Sequence, residues 1–280
     1  MASPNPSERV NDMSPVISFL GLTVPVGPVS VLLAFLVASD IGGRAIGWLP
    51  LSSVSQSHRD GWMDAYGNAL FYGLIVGIVG ARLAYAAQYP NLYWRDPAML
   101  LSIRPGTLAV WPGLILGCAA ALWILHRRGV PLTVSADASV FGLSGGLVVV
   151  KLGQFLTGDA FGTSTTAAWG VYLWQATRHP VQLYFSAALL LVFALLIFSR
   201  KSAQPGEIFW RFVLLYGLAE LFLSAYQANP LIWGPGIRLV QVLSLAGMLI
   251  GMFVLSYYAK SRAEQGEPSS IPLKTTEKAM

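Results

Sequence analysis

The sequence predicts an all-α, polytopic integral membrane protein with about seven transmembrane helices. Three observations point there. Of 280 residues, 55% are apolar and only 11% are charged, less than half of the roughly 25% charged residues usual in a soluble domain. A chain of this size in water exposes large apolar patches unless another phase covers them. Seven stretches approach the ~20 apolar residues that a helix needs to cross the hydrocarbon core, and Lys and Arg gather in the connections between them, the distribution that orients a membrane protein.

The spans are expected at about 16–39, 65–88, 107–125, 138–157, 181–199, 208–228 and 237–258. The fourth contains Lys151 and several glycines, which membrane helices tolerate because Gly lets neighbours approach closely. The fifth opens on Pro180, whose missing N–H costs nothing in a first helical turn. Residues 1–15 read as a polar N-terminal tail without the layout of a cleaved leader. Residues 16–260 read as one membrane domain. Residues 261–280, charged and Pro-containing, read as a disordered cytoplasmic tail. No repeat indicates a solenoid.

One set of connections and tails holds Arg44, Arg59, Arg127, Arg128, Arg200, Lys201, Lys260, Arg262, Lys274 and Lys278, with Arg211 just inside the sixth span. The opposite set holds Arg9, Arg95, Arg104, Arg178 and Arg238. The richer set is expected in the cytoplasm, which leaves the N-terminus outside and the C-terminus inside. The net charge of +5 therefore reads as orientation, not as nucleic-acid binding. Tyr89, Tyr93 and Trp94 look like one interfacial aromatic belt, and Trp169, Tyr172 and Trp174 like another. Cys118 is the single cysteine, so no intrachain disulfide forms; it reads as a small packing residue. His58, His126 and His179 fall in different connections without ligand spacing, so no metal and no other cofactor is expected.

Ionisable residues at membrane depth are costly and face a cavity or a partner. Arg82, Lys151, Asp159 and Glu220 stand out. They read either as structural pairs and snorkelling cations, or as a polar cavity for a lipid head group, a proton or an ion. Two cations suit an anionic phosphate. Two helix ends are unusually polar: Lys151 through Gly162, with Gln154, Thr157 and Asp159, and Arg178-His179-Pro180-Val181-Gln182-Leu183-Tyr184. A helix start after Pro180 favours an anion near Arg178 and His179, through its unpaired N–H groups and dipole.

These two segments, in this order, resemble signatures of the bacterial prolipoprotein diacylglyceryl transferases. Lys151 through Asp159 is similar to the family's Arg-x-Gly-Asn-Phe-x-Asn-Gly-Glu. Arg178 through Tyr184 matches its Arg-His-Pro-x-Gln-Leu-Tyr-Glu, with Phe185 in place of Glu. Gly27-Pro28-Val29-Ser30, Gly80-Ala81-Arg82, Asp137, Tyr216-Gly217 and Gln241-Val242-Leu243-Ser244 look like further family positions in collinear order.

The resemblance implies a cytoplasmic (inner) membrane enzyme with seven helices and an outward N-terminus. It transfers a diacylglyceryl group from phosphatidylglycerol, or another anionic phospholipid, to the lipobox cysteine of a prolipoprotein, without a cofactor. It implies that Tyr184, Asp159 and Lys151 carry the chemistry. Arg82, Gln154, Thr157, Arg178, His179, Gln182 and Glu220 then bind substrate. The chain also departs from the family pattern. Trp111 stands where the family has a histidine, Glu220 where it has an arginine, and Lys151 lacks the bidentate fork of Arg. The alternative reading is thus a catalytically altered or inactive homologue that binds lipid or joins a membrane complex.

Overall fold

In hydrocarbon a chain must satisfy its own backbone N–H and C=O groups, so apolar stretches of this length become helices. The computed structural model describes residues 16–19, 22–101, 107–233 and 236–266. Among them are helices α1 (Val26–Trp48), α2 (Gln56–Gln88), α3 (Pro90–Arg95), α4 (Val110–Arg127), α5 (Leu132–Thr157), α6 (Val181–Ser199), α7 (Glu207–Leu223) and α8 (Leu239–Gly266). All except α3 are long and apolar enough to cross a bilayer, so this is a multi-pass, all-α membrane protein. Three antiparallel hairpins join them: β1 (Val16–Phe19) with β2 (Leu22–Pro25), β3 (Val171–Leu173) with β4 (Ala176–Arg178), and β5 (Ile232–Trp233) with β6 (Ile237–Arg238). Successive spans alternate in direction, so the hairpins and α3 share one end of the bundle.

Small residues decide which helices pair. Gly73 and Gly77 of α2 meet Gly113 and Gly117 of α4. A Cβ on Gly73 would stand 2.9 Å from the Gly117 carbonyl oxygen, and one on Gly117 2.7 Å from that of Gly73. Along the α1–α5 seam, a Cβ on Gly146 would stand 2.8 Å from the Ala34 carbonyl oxygen. Such approaches give membrane helices the backbone contact that lipid cannot supply. α6 lies beside α5, and α7 lies between α6 and α8. At the end away from the hairpins, Ala45, Ile46, Tyr66, Ala138, Phe141, Leu196 and Ile208 form a fully buried core. There Phe141 meets Trp48 and Phe193 edge to face at 5.7 and 5.8 Å.

The structure moves several expected boundaries. The first span starts at Val26, ten residues later than expected, because β-branched residues on both sides of the turn pair as a hairpin and Pro25 ends the extended segment. α2 starts at Gln56, where the Ser55 side chain accepts from the His58 N–H. α5 starts at Leu132, which places Asp137 inside the helix rather than before it. α8 continues to Gly266, past Ser261. Cys118 is exposed on α4 rather than packed inside the protein. The basic residues divide between the two ends as expected, Arg44, Arg59, Arg127, Arg128, Arg200, Lys201, Lys260 and Arg262 lying opposite the hairpins. Residues 1–15, Arg104, Lys274, Lys278 and the rest of 267–280 lie outside the described residues.

Candidate functional site

The polar segment after α5 is shaped by a helix stop. Gly158 sits in the left-handed region (φ 73°), and the N–H groups of Gly158 and Asp159 close onto the carbonyls of Phe155 and Gln154, which turns the chain sharply. The Thr157 hydroxyl donates to Asp159 Oδ2 at 2.7 Å and holds that carboxylate. Residues 162–165 then run extended between two neighbours, joined to them by isolated bridges. On one side Ser164 pairs with Arg178, and the Thr165 N–H donates to the Thr177 carbonyl at 2.8 Å. On the other side Gly162 pairs with Gln227, and the Thr163 N–H donates to the Tyr226 carbonyl at 2.8 Å. This ladder brings the ends of α5 and α7 and the start of α6 together.

Side chains from α6 lock the cap. Gln182 is buried and donates to the Asp159 carbonyl at 2.6 Å. Arg178 donates to the carbonyls of Leu173 (3.1 Å) and Gly162 (3.4 Å) and lies over the Phe161 ring at 4.7 Å. The β3–β4 turn is two residues long, with Trp174 and Gln175 both at positive φ (51° and 61°). That geometry favours Asn-Gly. The Trp174 indole N–H offsets part of its cost by donating to the Gly158 carbonyl at 3.1 Å.

A second polar chain lies beside this cap. The Trp169 indole N–H donates to the Tyr184 hydroxyl at 2.7 Å, and that hydroxyl lies 3.2 Å from His179 Nδ1. Indole is only a donor, so the Tyr184 oxygen accepts from Trp169, and the hydroxyl shares a second contact with His179 Nδ1. His179 also packs edge-on against Tyr226 at 5.1 Å.

Deeper in the bundle, Lys151 lies over the Phe185 ring, its Nζ 4.5 Å from the centroid. Neither Lys151 nor Glu220 makes an ion pair within 4.0 Å among the described residues, although the two interact electrostatically. Tyr216 lies one turn back from Glu220 on α7. Gln154, on the Lys151 face of α5, has its Oε1 buried without a partner. Lys151 and Gln154 come from α5 and Glu220 from α7.

The structure thus brings Asp159, Thr157, Arg178 and Gln182 into one cap, links His179 to Tyr184, and leaves Lys151, Gln154 and Glu220 below. Arg82 is elsewhere. It is buried, and its guanidinium donates to the carbonyls of Met99, Leu100 and Thr107 and to the Thr107 hydroxyl while facing the Tyr93 ring at 5.6 Å. Its contacts tie the segment after α3 to the start of α4. Three participants were not singled out from sequence. Trp169 read only as an interfacial aromatic, Tyr226 gave no signal, and Phe185 was noted only for replacing a Glu.

The sequence model of prolipoprotein diacylglyceryl transferase matches residues 29–257. The chain belongs to the prolipoprotein diacylglyceryl transferase family. It is 27% identical to the phosphatidylglycerol–prolipoprotein diacylglyceryl transferase of Clostridioides difficile over 194 residues, 69% of this chain and 78% of that one. To the enzyme of that name from Aeromonas hydrophila it is 29% identical over 247 residues, 82% of this chain and 86% of the relative. For Trichormus variabilis the figures are 28% over 258 residues, 85% and 90%. Trp111 is 76% exposed on the first turn of α4. That helix packs on α2, away from the α5–α6 cap.

Proposed function

We propose that this protein transfers the diacylglyceryl group of a glycerophospholipid to the thiol of a lipobox cysteine in a prolipoprotein. The observation that carries the reading is Lys151: a cation inside a membrane helix, held against an aromatic ring, with no hydrogen-bond acceptor or ion pair among the described residues. An ammonium so placed is ready for a phosphate. Phosphatidylglycerol, the lipid in the relatives' names, is the reference donor. The hairpin end faces outward across a bacterial inner membrane, and the basic end with the C-terminus faces the cytoplasm, in keeping with the distribution of Lys and Arg.

The chemistry follows from these groups. The thiolate is the nucleophile. The cysteine sulfur attacks the glyceryl carbon that bears the phosphate, the carbon–sulfur bond forms, and the carbon–oxygen bond to phosphate breaks. Lys151 neutralises the charge that grows on the leaving phosphate. Tyr184 takes the thiol proton as it passes its own to His179 Nδ1; the proton then leaves on the phosphate monoester. Asp159, Thr157, Arg178 and Gln182 keep the cap in the shape that admits the peptide. Arg82 acts at a distance, by holding the start of α4.

The test is purified protein in phosphatidylglycerol vesicles with a lipobox peptide. The expected product is the peptide carrying a thioether-linked diacylglyceryl group. No product, with a competent relative working in parallel, selects the second reading: a lipid-binding or complex-forming homologue without catalysis. Trp111 at the histidine position favours that reading, because indole accepts no proton.

A further inference from the structure

Trp169 stands in the loop between the extended segment 162–165 and β3, and 67% of it is exposed. The loop under it is tightly built. Thr165 Oγ1 accepts the Ala167 N–H at 3.1 Å, and the Gly170 N–H donates to the Ala167 carbonyl at 2.9 Å, closing a turn with Trp169 in its third position. Gly170 is wedged against the hairpin: a Cβ there would stand 2.5 Å from Thr177 Cγ2 and 2.9 Å from Thr165 Cγ2. The turn gives the indole a fixed base. From that base its N–H reaches another element, donating to the Tyr184 hydroxyl at 2.7 Å. An interfacial Trp satisfies its N–H with water or a head group; this one spends it on a side chain of α6.

That side chain is the one placed in the proton path. Tyr184 lies in the first turn of α6 with its hydroxyl 3.2 Å from His179 Nδ1, and the Tyr226 ring backs His179 edge-on at 5.1 Å. A phenol on two rotatable bonds keeps its oxygen on one nitrogen only if something else holds it. Indole, a donor only, takes an acceptor position of that oxygen and keeps the hydroxyl hydrogen off its own side. We infer that Trp169 is a positioning residue for transfer: its indole N–H holds the Tyr184 hydroxyl against His179. Trp169 makes and breaks no covalent bond; it remains a donor while the Tyr184 oxygen gains the thiol proton and releases its own to His179. The inference rests on the transferase reading for its kinetic meaning, but the contact itself is measurable without turnover.

The experiment is a double-mutant cycle on purified full-length protein in phosphatidylglycerol vesicles with a lipobox peptide. Trp169→Phe is expected to lower kcat about tenfold, the worth of one hydrogen bond. KM for the peptide is expected to change less than about twofold, and the thermal unfolding midpoint to stay where it is. Benzothienylalanine at position 169, which keeps the ring shape and lacks the N–H, is expected to do the same. In a Tyr184→Phe background neither replacement is expected to have a further effect, because Trp169 acts through that hydroxyl. A packing or membrane-anchoring role makes the two losses multiply; that result, or full activity with benzothienylalanine, overturns the inference. The second readout is the Trp169 indole N–H resonance, assigned by its loss in Trp169→Phe. Its exchange with solvent is expected to be about tenfold faster in Tyr184→Phe, and unchanged exchange overturns the contact. Absence of thioether product from the unaltered protein removes the transferase reading and the kinetic role with it, while the exchange rate decides separately whether the indole holds the hydroxyl.

Discussion

Two groups of charged residues lie within the helices of this protein, at opposite ends of α5 and α7, and they differ in how their bonding capacity is filled. At the end away from the hairpins, the buried Asp137 carboxylate accepts the N–H groups of Gly206 (2.6 Å) and Phe209 (2.8 Å), capping α7 from a neighbouring helix. Beside it, buried Glu207 binds Arg211 at 2.6 Å and Arg262 at 2.7 Å, and the Tyr258 hydroxyl donates to the Pro205 carbonyl at 3.2 Å. Both carboxylates are satisfied, and the result is a latch that holds α8 on α7. Toward the hairpin end, Lys151, Gln154 and Glu220 keep unused donors and acceptors. Saturated buried charges close a structure; unsaturated ones wait for a ligand. The first group shows what these side-chain types do when their task is packing.

The contrast predicts opposite phenotypes. The largest effect belongs to Lys151→Met, which is expected to lower transfer by about 10³-fold, some ~4 kcal/mol of transition-state stabilisation, while thermal unfolding in detergent changes little. A variant that unfolds early and retains full activity when folded breaks the distinction. Glu207→Ala is expected to do the reverse. It removes the partner of two arginines and costs about 3 kcal/mol of stability, seen as a lower unfolding midpoint, with activity per folded molecule unchanged. Tyr184→Phe comes next: transfer is expected to fall about 100-fold with stability preserved, read from initial rates on the lipobox peptide. The smallest effect tests the cap itself. Gln175→Gly relieves a positive φ and is expected to raise stability by about 0.5–1 kcal/mol; a loss of stability there means that the Gln175 side chain does more than occupy a turn.

Legibility differed sharply between levels. The spans were readable because hydropathy is additive along the chain; even so, the start of α1 was placed ten residues early, since a β-hairpin of apolar residues and a helix of apolar residues look alike to a hydropathy count. The two signature segments were readable because their spacing is local. Arg82 shows the limit. The sequence groups it with Lys151 because both are cations at membrane depth, yet the fold commits its guanidinium to three carbonyls, of Met99, Leu100 and Thr107. Tyr184 shows it from the other side. Its hydroxyl meets Trp169, 15 residues earlier, because a strand-like detour folds the intervening chain back.

By itself, the sequence determined the membrane class, the number of crossings, the order of the motifs and so the family, since each depends on composition or on neighbours along the chain. Tertiary structure alone decided which buried polar groups are already satisfied. Hydrogen-bonding capacity is filled across space, and only the packed helices show that Asp137 is spent on α7 while Gln154 Oε1 is buried without a partner among the described residues.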